Sequence, residues 1–393
     1  MKRKGYKYLF SLGHIASDIN QGALPAVLPF LIASYHYDYT TAATLVMVAN
    51  IVGSLIQPVL GQIADKHNKP WIMIAGIFLA GAGMAALGFM PSFAGMCVAV
   101  MISGVGIAMF HPQAAQLVNR VSEEHNRGQN ISIFSMGGCI GSTLGPILAS
   151  AAIAGFGMKG TLVFLIPPLV VCTILAIVSP ELKAMGSPAA ASAKATSSAA
   201  RPDQWKAFAI LCAVIFARSV VVYGLNTFLA LYCVDTLGQS ESVGNAALSY
   251  FFILTTLGTL VGGKIADKYG HQKLIRIGCL AAPFLIFAMT LTDSLPLAMV
   301  ILFPVGIALN IIYSPMVVLG QLYLPNHMGL ASGMTLGLAV SIGGIAAPLL
   351  GKFADLHGVI ASIYICAAVA LIPLVASIFL PKVAAAPAVE KAA

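Results

Sequence analysis

Residues Gly61-Gln-Ile-Ala-Asp65-Lys66-His-Asn68-Lys69-Pro70 decide the architecture, because their pattern returns as Gly263-Lys-Ile-Ala-Asp267-Lys268-Tyr-Gly270-His-Gln-Lys273. The two aspartates are 202 positions apart in a chain of 393. The same offset relates Pro146 of Gly145-Pro-Ile-Leu to Pro348 of Ala347-Pro-Leu-Leu, and Gly22 to Gly224. One offset of half a chain, met three times, marks a duplication. Each copy of the first motif is a short charged turn between two long apolar runs, so the repeated unit is a helical membrane bundle.

Composition agrees. The chain is 59% hydrophobic and only 9% charged, with mean hydropathy +0.92, against roughly a quarter charged in a soluble domain. The net charge of +8 does not point to nucleic acid, since Lys and Arg lie in short loops and build no basic face. Cys97, Cys139, Cys172, Cys212, Cys233, Cys279 and Cys366 stand singly inside apolar runs. They read as small buried residues rather than disulfides or metal ligands. Met1-Lys-Arg-Lys before an apolar run imitates a secretory signal, but Asp18, Asn20 and Gln21 interrupt that run and no A-x-A site follows. The run is therefore the first membrane helix.

With about 20 apolar residues needed per crossing, twelve spans are predicted: 6–34, 40–63, 71–90, 94–118, 128–154 and 160–180, then 205–234, 243–265, 273–292, 295–323, 327–352 and 358–381. The expected fold is all-α, with two pseudo-symmetric six-helix bundles, residues 1–180 and 205–393, joined by a polar small-residue linker over 181–204. With the N-terminus inside, eighteen Lys and Arg face the cytoplasm and only Lys159 and Lys352 the other side. By the positive-inside rule both termini are expected to be cytoplasmic, in a multi-pass protein of the plasma (inner) membrane. Arg218 alone among the Lys and Arg falls within a span.

Twelve helices in two halves with a twin G-x-x-x-D-K loop resemble the major facilitator superfamily over essentially the whole chain. Gly61, Asp65, Lys66 and Lys69 match that family's loop, with Asn68 in place of its second glycine; Gly263, Asp267, Lys268, Gly270 and Lys273 match more closely. A narrower resemblance, to the fosmidomycin-resistance group of exporters, rests on Gly13-His14-x-x-Ser17-Asp18, on Phe110-His111-Pro112 and on Arg218. The acid expected after His-Pro in that group is Gln113 here, which argues against a two-carboxylate coupling scheme.

The resemblance implies that Asp65 faces the start of helix eleven, near Asn326 to Ser332, and that Asp267 faces the start of helix five, near Arg127 to Ser132. An aspartate there caps the positive end of a helix from the opposite half, and so acts as a latch in one arrangement of the halves only. Gly61, Lys66, Arg120, Gly263 and Lys268 belong to the same expected gate. A solvated loop aspartate is the plain alternative. Gly137, Gly141 and Gly145, four apart in helix five, share a face on which a neighbouring backbone can approach closely. With Pro146 they resemble the antiporter signature of the family's drug exporters, although Ala149 and Ser150 replace its final glycines. Pro348 is the counterpart of Pro146.

Ionisable groups within spans are costly unless they line water or find partners. Asp18 lies about 18 Å into the first helix at about 1.5 Å per residue, with His14 and Gln21 on the same face. His111 lies at similar depth in helix four and Arg218 in helix seven. The family lines its central cavity with helices one, four, seven and ten, and the tenth supplies Asn310 and Tyr313. Asp18 and His111 are the proton-coupling candidates. The substrate candidates are His14, Gln21, Gln113, Arg218, Tyr223, Asn226, Asn310 and Tyr313. For Asp18 the alternative is an acid that holds helices together, and for His111 a bridge over the helical hydrogen bond broken by Pro112. Arg218 is either a counter-ion to Asp18 or a clamp for an anionic substrate such as a phosphonate or carboxylate.

No Walker loop, G-x-S-x-G or zinc-ligand cluster is present, so neither an enzyme nor a cofactor is indicated. The reading is a monomeric, proton-coupled exporter of a small molecule, working by alternating access within the bilayer. An importer of an organic anion on the same fold, and a membrane sensor that moves nothing, are the alternatives. From the latch, Asp65→Asn is expected to abolish transport while the protein stays inserted; normal transport by that variant would remove the latch.

Overall fold

A computed structural model describes residues 5–66, 69–122, 127–184, 202–327, 330–331 and 333–381. Among these residues there is no strand, and the backbone is helical almost throughout. The helices are α1 (Tyr6–Tyr35), α2 (Tyr39–Lys66), α3 (Pro70–Leu87), α4 (Phe93–Val121), α5 (Arg127–Phe156) and α6 (Ile166–Ala184), followed by α7 (Trp205–Leu231), α8 (Glu241–Tyr269), α9 (His271–Met289), α10 (Leu295–Tyr323), α11 (Gly333–His357) and α12 (Val359–Ile378). Among the described residues, eleven helical stretches are long and apolar enough to cross a membrane, and one of them, Asn130–Lys183, is 54 residues long. At about 1.5 Å per residue it far exceeds a hydrocarbon core of about 30 Å, so it holds two crossings. The 3₁₀ turns of Gly157–Leu165 join α5 to α6 without an unpaired stretch of backbone.

Turn chemistry sets the other ends. α1 stops where His36 takes a left-handed conformation, φ 54°, and gives its N–H to the Ile32 carbonyl. α8 stops at Gly270, whose φ of 95° no ordinary side chain favours. Asn68, at the corresponding place in the first motif, lies outside the described residues.

Packing concentrates within each half of the sequence. Two apolar clusters draw on residues between Tyr6 and Leu182, and two on residues between Ala207 and Leu380; Ala43 and Leu248 are the buried members that cross over. Outward-facing Ile177, Leu291, Val300 and Phe379 are exposed, as expected of a surface that meets lipid. The glycine face of α5 lies against α1. A methyl at Gly141 would stand 2.7 Å from the Ile15 carbonyl oxygen, and one at Gly145 2.5 Å from that of Ile19. In the other half Gly343, 202 positions after Gly141, leaves room for the Tyr223 ring and the Ser219 hydroxyl. The duplication thus extends to how helices touch.

The halves meet at the face remote from the termini. There Asp355 of α11 accepts hydrogen bonds from the backbone N–H groups of Tyr39 (2.7 Å) and Thr40 (3.1 Å) and from the Thr40 hydroxyl. This is an N-cap of α2 supplied by the other half. Tyr39 donates its hydroxyl to Asp235 at 2.8 Å, and Gly351 lets the backbone of Tyr39 and Thr40 close in. Asn245 of α8 bonds the Ala26 carbonyl and the Ser150 hydroxyl. Further in, Ser54 and Ser341 hydroxyls pair across α2 and α11.

Asp203 binds within its own half, accepting from the Asn326 N–H at 3.1 Å and meeting His327 Nδ1 at 2.8 Å. Burial raises its pKa, but these partners outweigh it and hold the carboxyl below its usual range. Loss of the remote latch is testable. Asp355→Ala is expected to weaken closure by about 1 kcal/mol, a factor of about five. Spin-label distances between Ser34→Cys and His357→Cys should then broaden toward longer values; an unchanged distribution would dismiss the cap.

Candidate functional site

α1 carries His14 and Asp18 one turn apart, and α4 brings His111 to the same carboxylate. Asp18 Oδ2 lies 3.2 Å from His14 Nε2, and Oδ1 lies 3.2 Å from His111 Nε2. The other nitrogen of each ring meets a backbone carbonyl: His14 Nδ1 that of Phe134 at 2.8 Å, and His111 Nδ1 that of Ile107 at 3.0 Å. Asp18 and His14 are buried, while His111 is half-buried and forms part of a cavity wall. That cavity, about 330 Å³, is lined by polar side chains of α1 and α2, among them Asn20, Gln21, Asn50, Ser54 and Gln57.

A second cavity of about 260 Å³ adjoins it, sharing Tyr223, Asn226 and Val340. Arg218 stands in its wall, 7% exposed. Its Nε donates to the Leu309 carbonyl, its Nη2 to Asn310 Oδ1 at 2.8 Å, and its guanidinium lies 5.3 Å from the Tyr313 ring centre. Among the described residues no carboxylate pairs with it. Neither cavity wall contains an Asp or Glu; its chargeable groups are His111 and Arg218, beside the thiol of Cys139 and the phenols of Tyr223 and Tyr313. Asn226 Oδ1 is buried without a hydrogen-bond partner. Such a site can neutralise and hydrogen-bond an acidic group, whereas an organic cation finds no counter-charge.

The structure therefore brings together most of the residues singled out above, in two groups. Gln21 and His111 line the first cavity, Arg218, Asn310 and Tyr313 the second, and Tyr223 and Asn226 both. Two of the expected substrate residues stand outside both cavities. His14 does not line either cavity: it sits behind Asp18 as that residue's partner, because its ring packs against Phe134, 4.2 Å between centres, and Phe110. Gln113 is also away from both; two residues beyond His111, it turns to another side of α4 and is buried. Arg218 is not the counter-ion of Asp18 in this conformation, since each has other partners.

For the expected gate, Asp267 is exposed and His271, one turn on, lies 3.8 Å from its carboxylate. The side chains of residues 127–129, at the start of α5 expected opposite it, lie outside the described ones. Lys268 lies over the Tyr269 ring, and Gly263 has Ser314 as its nearest neighbour. Asp65, Lys66, Gly61 and Arg120 lie outside the residues whose side chains are described. Pro146 and Pro348 sit inside α5 and α11.

The α2 wall went unnoticed in the sequence. Its Asn50, Ser54 and Gln57 recur at helical spacing in an apolar run, a polar stripe that periodicity could have found. The Asp355 latch offered no such signal, because a lone aspartate at a helix end reads as solvated.

Comparison with known proteins gives this geometry a context. Residues 10–348 match the model of the Major Facilitator Superfamily. The chain is 30% identical over 375 residues to the fosmidomycin resistance protein of Escherichia coli (strain K12), covering 94% of this chain and 91% of that protein. It is 26% identical over 248 residues to the multi-drug resistance efflux pump PmrA of Streptococcus pneumoniae, covering 60% of this chain and 59% of that one. Among solved structures, a bacterial homolog of the human lysosomal transporter Spinster, inward-facing and occupied, superposes with a TM-score of 0.79 at 17% identity, over 96% of both chains. A membrane transporter with drug-resistance relatives and no enzymatic machinery, this chain belongs to the major facilitator superfamily.

Proposed function

We propose that the protein is a proton-driven exporter of a small anionic molecule, releasing substrate to the outside in exchange for protons. The observation that carries this reading is the division of charge around one chamber. On one side an acid is held between two histidines; on the other a buried guanidinium has no carboxylate partner. A permanent cation in a low-dielectric interior is costly, and a phosphonate or carboxylate entering the chamber relieves that cost. The positive-inside rule supports cytoplasmic termini, and on that reading the Asp355-latched face is the outer one and the chamber opens inward. The drug-resistance names of two relatives support export rather than uptake.

The cycle follows from these parts. Substrate enters from the cytoplasm and its acid docks on Arg218, with Asn310, Asn226 and Tyr313 supplying hydrogen bonds. The outer latch opens, the halves rock, and the substrate leaves as Asp18 takes a proton from outside. Return to the inward-open form delivers that proton to the cytoplasm. Coupling requires only that proton and substrate favour different states of the same two-state element.

Two measurements test this. In proteoliposomes, Asp18→Asn is expected to abolish gradient-driven efflux but retain substrate counterflow, and with wild-type protein a pH dye should report protons moving against substrate. Uphill efflux by the variant would remove Asp18 from coupling, and co-directional proton flow would make the protein an importer. Arg218→Gln should weaken binding of anionic substrates by about 10- to 100-fold, the loss of a charge-assisted hydrogen bond worth roughly 1.5–3 kcal/mol. Equal effects on cationic compounds would exclude the clamp.

A further inference from the structure

The histidine hydrogen bonds determine how many protons the Asp18 site holds. Carbonyl oxygens only accept, so each Nδ1 facing Phe134 O or Ile107 O must carry a hydrogen. In a neutral ring of that tautomer Nε2 is a bare lone pair. Each Nε2 atom lies 3.2 Å from a carboxylate oxygen, and a lone pair against a lone pair repels. Each contact therefore needs a proton of its own. With none, the group carries one negative charge and two repulsive contacts; with one it is neutral and one contact is satisfied; with two it carries one positive charge and both are satisfied.

The two ends of the group differ. His111 borders the first cavity and has a quarter of its side chain exposed. Asp18 Oδ1, on that side, has no aligned hydrogen-bond donor. His14 is sealed behind Phe110 and Phe134. Gly138 of α5 makes the sealed end possible: a methyl there would lie 2.5 Å from His14 Nε2 and 2.8 Å from Asp18 Oδ2. α5 also carries the Cys139 thiol, in the wall of the second cavity. On the far side of the chamber, α7 presents Arg218. Each histidine meets a different carboxylate oxygen, which sets the contacts in series, although one ligand atom from each of the three residues also falls within 4.8 Å of the others.

Resting on the proton-coupled reading above, we propose that His111, Asp18 and His14 form a linear relay that stores two protons, with His111 as its port and His14 as its sealed terminus. A proton from cavity water binds His111 Nε2 and passes to Asp18 Oδ1. The carboxyl turns and delivers it to His14 Nε2, and a second proton then reloads His111. Two protons are taken from water and no other co-reactant is required. His14 is a proton-holding residue that does not touch substrate.

The relay is tested by counting protons exchanged per substrate, from the pH gradient that just balances a known substrate gradient in proteoliposomes. The count is expected to fall from two in the wild type to one in His14→Gln, with efflux still gradient-driven and substrate affinity within twofold. An unchanged count in a folded His14→Gln would overturn the relay while leaving proton coupling intact; uphill efflux by Asp18→Asn would instead sink the parent reading. Should His14→Gln not fold, nitrogen NMR of wild-type protein labelled at histidine decides. Protonated Nε2 on both relay rings, the His111 signal assigned by His111→Gln, supports two stored protons, and a bare Nε2 on His14 at every pH refutes them. Stoichiometric cobalt(II) binding to wild-type protein that is lost in His111→Gln would replace the relay with a metal site.

Discussion

Hydrocarbon offers no partner to a polar group, and this constraint organises the molecule. Asp18 and Arg218 lie on different halves, each buried, and neither can be left facing lipid. Their hydrogen bonds are therefore made inward, to histidines, amides and carbonyls around a shared space. Glycines follow from the same requirement. α5 brings its backbone against α1 because no side chain intervenes at Gly137, Gly141 and Gly145, and the room left at Gly138 is taken by the imidazole and carboxylate of the Asp18 group. Packing and electrostatics here are one design.

α1 connects the parts. One side of it holds Asp18 and His14; Asn20 and Gln21, a turn further, form the cavity wall; and the Ala26 carbonyl accepts a hydrogen bond from Asn245 of the opposite half. A change of charge at Asp18 thus acts on a helix whose far end takes part in the contact between the halves at the face remote from the termini. That is the physical route by which protonation can bias an arrangement of halves, and it needs no long chain of intermediates.

The repeat, the spans and the charged positions were legible because each depends on local chemistry. Twin loops 202 residues apart identify the family fold, and Asp18, His111, Arg218 and Asn310 stand out as polar residues in apolar runs. What could not be read was who faces whom. His14 shares a face with Gln21 on a helical wheel, yet about two turns of separation and the Phe134 ring divide the sealed side from the wet one. Gln113 differs for a related reason, since a position two residues from His111 turns to another side of α4. Asp355 is least legible of all: its partners are backbone N–H groups more than 300 residues away, and a backbone donor leaves no mark in composition.

Alternating access requires that neither arrangement of the halves be much the more stable. The Asp355 cap on α2 is of a kind worth about 1 kcal/mol, and in the proposed alternating-access cycle it breaks when that face opens. In the same proposal the twin aspartates of the repeated loops are suited to the same bond in the reverse arrangement. Two caps of one chemical type, each broken when the other forms, nearly cancel. The remaining difference lies within reach of a single proton, since a pKa change of one unit between the two states is worth about 1.4 kcal/mol. A latch much stronger than its opposite would hold the protein in one state against any gradient of ordinary size, so modest capping bonds at the rims, rather than buried ion pairs, are what a reversible carrier requires.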